Sequence, residues 1–117
     1  MSNLSNHVQL IGNLGKEPQI KEFESGKLMA TFSLATSDYF TNQQGQRVND
    51  TQWHQLVAWD KKAELVRDYL TKGNRVAVAG KLVHRSYTDK DNQVRYITEI
   101  VVNEIMMLTP KQEPAEA

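Results

Sequence analysis

Four aromatic residues stand in polar surroundings, Phe40, Trp53, Trp59 and Tyr87, and the chemistry open to such rings is stacking. Trp53 and Trp59 are six positions apart in an alternating segment, so on a strand they share one face about 20 Å from each other. Gln55 falls between them on that face, while Leu56 and Ala58 fall on the other and read as core. Large aromatics bury well, and a core role for both tryptophans is the alternative. Against it, Gln52 and Gln55 suit a wetted surface. Rings spaced along an exposed strand form a stacking platform for nucleobases, each contact worth about 1–3 kcal/mol. Cations are interleaved with these rings: Lys81 and Arg85 near Tyr87, Lys61 and Lys62 after Trp59, and Lys72 and Arg75 a little further on. Each alone suits a solvated face; with the aromatics they suit a phosphate track.

Other chemistries are poorly served. The chain has no cysteine, which excludes a disulfide scaffold, a thiolate metal site and a thiol nucleophile. Gly12-Asn13-Leu14-Gly15-Lys16 is two residues too short for a phosphate loop, and Glu17 fills its Ser/Thr position. Asp89 and Asp91 begin like a calcium loop, but Val94 stands where its glycine is needed and Ile100 where its glutamate belongs. That segment reads as a turn. His7, His54 and His84 are too far apart in sequence for a local metal motif, and His54 beside Trp53 reads as part of a packed or interface face. No catalytic residue, metal or cofactor is expected.

Composition sets the frame for these residues. At 117 residues, with 39% hydrophobic and 24% charged side chains, the chain makes one globular domain with one core. Fourteen Lys and Arg balance fourteen Asp and Glu, so any nucleic-acid contact must use local charge or forces other than charge. The first residues have no charged leader with an apolar stretch, and no apolar run approaches a membrane span. A cytoplasmic location is the expectation.

Period-2 alternation dominates the chain. Residues 7–14 make a strand with a bend or bulge at Gly12, Asn13 and Gly15, and Pro18 leaves the next segment an edge strand at best. Residues 24–27 read as a hairpin turn into residues 28–36, where Leu28, Ala30, Phe32 and Leu34 share a face. Residues 41–50 are polar and without period, which predicts a long loop; residues 51–59 return to a strand. Residues 60–70 switch to helical spacing through Leu65, Val66, Tyr69 and Leu70, with Asp60 as N-cap, Glu64 in the first turn and Gly73 as the stop. Strands follow at 75–82 and 95–108 around a turn at 88–92, and residues 110–117 are expected to be a disordered end to a domain of residues 1–109. The order predicts an all-β, five-stranded oligonucleotide-binding Greek-key barrel with one short helix between strands 3 and 4, although a meander sandwich shares part of it.

The chain also resembles the bacterial single-stranded DNA-binding proteins across residues 5–108. The matching residues are Val8 through Gly15 with Pro18, Leu34-Ala35-Thr36-Ser37, Thr51-Gln52-Trp53-His54, Ala63-Glu64 with Tyr69-Leu70, Lys72-Gly73, Gly80-Lys81-Leu82, Tyr87-Thr88-Asp89 and Arg95 through Glu99. Their order and spacing together carry the resemblance. It implies a non-enzymatic barrel assembled as a homotetramer that wraps and protects single strands in replication, recombination and repair, in the cytoplasm with the nucleoid. By position it implies base stacking on Phe40, Trp53, Trp59 and Tyr87, and basic contacts from Lys61, Lys72 and Arg85. The family's acidic tip ending in Pro-Phe has no counterpart in residues 111–117, which makes recruitment of tail-reading enzymes doubtful. Two alternatives stay open: a dimeric primosome-type adaptor of the same fold, and a protein-interaction barrel that binds no strand.

Overall fold

The computed structural model describes residues 4–108. Its elements are β1 (Val8–Leu14), β2 (Gln19–Glu22), β3 (Leu28–Thr41), β4 (Arg47–Trp59), α1 (Lys61–Tyr69), β5 (Arg75–Thr88) and β6 (Val94–Met107). Hydrogen bonding runs in the order β1-β5-β6-β4-β3-β2, and β1 also pairs with β3. That second pairing closes a barrel of five strands, β1, β3, β4, β5 and β6, with α1 between the third and fourth of them. The short β2 is an added edge strand on β3, the edge position expected for the segment after Pro18. The expected end at residues 110–117 lies outside the described residues.

Closure depends on β1 changing partner. Residues 8–13 pair with β5, and then Asn13 and Leu14 pair with Ala35 and Leu34 of β3. Gly12 sits at this crossing, where a Cβ would collide with the Ala35 carbonyl, so only glycine lets the strands approach. The bend expected here is therefore a change of neighbour. The irregularity in the ladder lies elsewhere, between Ala79 and Gly80 in β5.

Alternation fills the barrel. Leu28, Ala30, Phe32 and Leu34 of β3 face inward with Leu56, Ala58, Val76, Val78, Ile100 and Val102, and α1 plugs the barrel with Ala63 and Val66. Leu34, Leu56, Val66 and Val76 are fully buried, each contributing about 1.5–3 kcal/mol of burial free energy.

Three local expectations are corrected. Residues 41–50 are no long loop: β3 and β4 pair without a break out to Thr41 and Arg47, leaving only residues 42–46 as a turn. The Asn42 side chain accepts the Gln44 and Gln46 N–H groups at 2.9 Å each, and Gly45 takes a positive φ. The pattern misled because this arm stands beyond the core with both faces wet, so nothing imposes a period. Asp60 occupies the N-cap position but caps nothing with its side chain; at φ 55° its backbone turns the chain sharply, its N–H donating to the Leu28 carbonyl at 2.8 Å. Nor does Gly73 stop the helix: α1 ends at Tyr69, Leu70 is extended, and Gly73 serves a later turn at φ 89°.

Candidate nucleic-acid interface

Register places the sequence-derived residues. Facing pairs across β3 and β4 are Trp53 with Ala35, Gln55 with Ser33, Val57 with Thr31 and Trp59 with Met29. Side chains opposite each other in a ladder share a face, so these eight form the outer face of the sheet. Trp53 is 62% exposed, whereas Leu56 and Ala58 on the inner face have no exposure at all. The tryptophans are surface residues, and the core alternative falls for Trp53. Its indole lies against the bare backbone of Gly15, where a Cβ would collide with the ring.

The same contact brings Lys72 close. Leu14 and Gly73 are bonded through the Gly73 N–H and the Leu14 carbonyl at 3.0 Å, and the Lys72 N–H donates to a Glu17 carboxylate oxygen at 3.2 Å. The turn carrying Lys72 is thereby fastened to the segment under Trp53. Lys72 is exposed and forms no ion pair among the described residues.

Other candidates are distributed differently. Phe40 is exposed, but its register opposite Val48 puts it on the reverse face of the β3–β4 arm from Trp53. Tyr39, which the sequence reading passed over, shares the Trp53 face and carries the Arg47 guanidinium 4.4 Å above its ring. Tyr87 is exposed on the separate β5–β6 arm, opposite Arg95. Arg85 on that arm is bound bidentately to Glu99 at 2.9 and 3.1 Å, and this hydrogen-bonded carboxylate raises the guanidinium above its ordinary value. Glu99 is buried, so Arg85 neutralises it and is not free to turn fully to a phosphate. Lys61 and Lys62 line a groove of about 650 Å³ with Leu65, Ala77, Ala79 and Met106, on the side of α1 that meets β5 and β6.

The remaining motifs resolve as turns and ties. The Asp89 carboxylate accepts the Asp91 and Gln93 N–H groups at 2.9 and 3.0 Å and pairs with Arg95 at 2.7 Å. Arg95 first, and the backbone donors after it, hold this carboxyl below its usual range. His54 meets the Thr36 hydroxyl at 2.9 Å, half-buried on the inner-face side of β4. Among the described residues no group of His, Asp and Glu is arranged to hold a metal, and no helix is long and apolar enough to cross a membrane.

Comparison with known proteins agrees with this geometry. The model of the single-strand binding protein family matches residues 5–108. A single-stranded DNA-binding protein of Bacteroides thetaiotaomicron is 44% identical over 108 residues, covering 91% of this chain and 67% of that protein. Its counterpart from Chlorobaculum tepidum is 42% identical over 107 residues, covering 91% of this chain and 66% of that protein. This chain thus spans about two thirds of the length of these relatives. Among solved structures, a Plasmodium falciparum SSB in complex with ssDNA superposes with a TM-score of 0.81 at 36% identity, over 92% of this chain and 99% of that one. A deletion mutant of the single-stranded DNA-binding protein from Thermus aquaticus gives 0.78 at 26% identity, over 91% of this chain and 51% of that one.

Proposed function

The chain belongs to the single-strand binding protein family, and from that premise we propose that it binds single-stranded DNA with little regard to sequence, as a binding protein and not an enzyme. The observation that carries this reading is the outer face of β4, where Trp53 is 62% exposed above a strand whose inner face is sealed in the core. A large ring held open to solvent on a rigid strand is preorganised to stack, because neither the backbone nor the ring must be ordered on binding. Trp53 and Trp59 supply the main stacking surface; Tyr87 adds a ring from the β5–β6 arm, and Phe40 a further one from the reverse face of the β3–β4 arm. Lys72 supplies a phosphate contact beside Trp53. Lys61 contributes from the groove at the start of α1, and Arg85 contributes with the part of its guanidinium that Glu99 leaves open. Stacking also accounts for strand binding by a chain of zero formal charge.

Self-association completes the proposal. Residues 8–12 of β1 have ladder partners on the β5 side alone, which leaves a strand edge able to pair with a second copy. The half-exposed Ile11 lies on that edge. A homotetramer assembled from such edges would join several short sites, one barrel covering about 4–16 nucleotides, into a wrapping surface. That surface protects strands exposed in replication, recombination and repair, in the cytoplasm.

Titration of tryptophan emission with a thymidine oligonucleotide tests the reading. Quenching that saturates is the expected result, and unchanged emission at low salt and saturating strand would overturn direct stacking. Light scattering tests the assembly: a tetramer is expected, and a monomer at micromolar concentration refutes it.

A further inference from the structure

The outer face does not end at Trp59. Lys21 of β2 lies opposite Met29, which lies opposite Trp59, so Lys21, Met29 and Trp59 form one row across three strands. Just beyond, the Phe23 N–H donates to the Lys27 carbonyl at 2.8 Å, and Gly26 at φ 91° closes the turn between them. This bond continues the ladder by one step, and alternation puts Phe23 on the face of Lys21. The Phe23 and Trp59 rings stand 6.0 Å apart between centroids with planes 22° apart, an offset stack in which they overlap only in part. The Lys21 ammonium is 5.0 Å from the Phe23 centroid, and the Lys27 ammonium 5.8 Å from that of Trp59. Both lysines are exposed.

Two rings and two cations so joined repeat the chemistry that the stacking site uses elsewhere. We infer that the β2–β3 turn is a further subsite for single-stranded DNA, in which Phe23 stacks a nucleobase beyond Trp59 and Lys21 and Lys27 hold the adjoining phosphates. The inference rests on the outer face of β4 being the strand-binding face. An ammonium poised over a ring directs an N–H at the π-face and keeps its other N–H groups turned outward, and an incoming phosphate can accept these without displacing the ring contact. Pairing covers one face of each ring, and the partial exposure of Phe23 and Trp59 leaves ring surface for a base.

The test separates stacking on Phe23 from mere support of Trp59. Phe23→Leu keeps an apolar neighbour for Trp59 but removes the π-face, and Phe23→Trp restores one. We expect Phe23→Leu to weaken binding of a thymidine oligomer about 5- to 30-fold, with Phe23→Trp binding at least as tightly as the parent. In a Trp53→Phe background, where Trp59 is the sole indole, quenching of Trp59 by the oligomer should persist in Phe23→Leu, and the melting temperature should fall only slightly, by the loss of the ring pair. Lys21→Gln and Lys27→Gln should each flatten the salt dependence by about 0.7 in slope, which Phe23→Leu leaves alone. Parental affinity in a folded Phe23→Leu protein overturns the inference. If Trp53→Ala nevertheless weakens binding, the subsite alone falls; if Trp53→Ala also binds normally, the whole outer face is misassigned and the inference falls with it.

Discussion

Trp53 and Trp59 occupy one face of one strand, six residues apart, and are held in opposite ways. Trp53 rests on the backbone of Gly15 and is 62% exposed; Trp59 is backed by the Phe23 ring and the Lys27 ammonium and is 38% exposed. The first is a ring presented to solvent by the absence of a side chain beneath it. The second is a ring fixed by its neighbours. The difference teaches that equal register does not make equal sites, because the strands alongside decide how much of each ring remains available.

The largest expected effect breaks the pair apart. Trp53→Ala should cost about 1–3 kcal/mol in oligonucleotide affinity while leaving thermal unfolding nearly unchanged. Trp59→Ala should lose less affinity and more stability, about 0.5–1.5 kcal/mol of the latter from the lost ring pair. Unfolding melts and fluorescence titrations on both variants check this. A Trp53→Ala protein that fails to fold would show that ring to be structural.

Gly15→Ala addresses the cradle. Its Cβ must displace the Trp53 ring, so affinity should fall by part of the Trp53→Ala loss, and the Trp59 contribution to quenching should persist. Undiminished affinity would mean that the ring finds an equivalent seat.

Charge gives a smaller contrast of the same kind. Lys72, fastened beside Trp53 by backbone bonds, should on mutation to alanine flatten the salt dependence by about 0.7 in slope. Arg85, bound to buried Glu99, should on mutation lower the melting temperature more than it alters the slope, since a buried carboxylate loses its partner. Equal slopes for the two variants would refute the distinction.

The smallest effect is in the β5–β6 turn, far from the tryptophan face. Asp89 is held below its usual range by Arg95 and two backbone donors, so its stabilisation is complete above the ordinary carboxylate value near about 4 and is lost as pH falls through the lower folded value. Hydrogen exchange at the turn should quicken in acid, and Asp89→Asn should remove that dependence.

What could be read without coordinates followed the core. Alternation in residues 28–34 and 53–59 identified inner and outer faces correctly, because one face of each strand is sealed and burial imposes the period. Where both faces are wet, as in residues 37–51, no period exists, and the arm that carries Tyr39 and Phe40 could not be drawn or its faces assigned. The sign available for Tyr39 was its even spacing, four positions from Ala35, legible only once β3 is known to continue that far.

By itself, then, the amino-acid sequence determined the order of strands around one helix and the pair of tryptophans on a shared face through spacing along the chain, while the choice of barrel over sandwich rested on its resemblance to a known family. Only the tertiary structure decided the rest. It placed Gly15 beneath Trp53, Phe23 beside Trp59 and Glu99 against Arg85, separations of 38, 36 and 14 positions. Strand pairing makes these contacts, and local propensity has no means of encoding a neighbour that arrives from another strand.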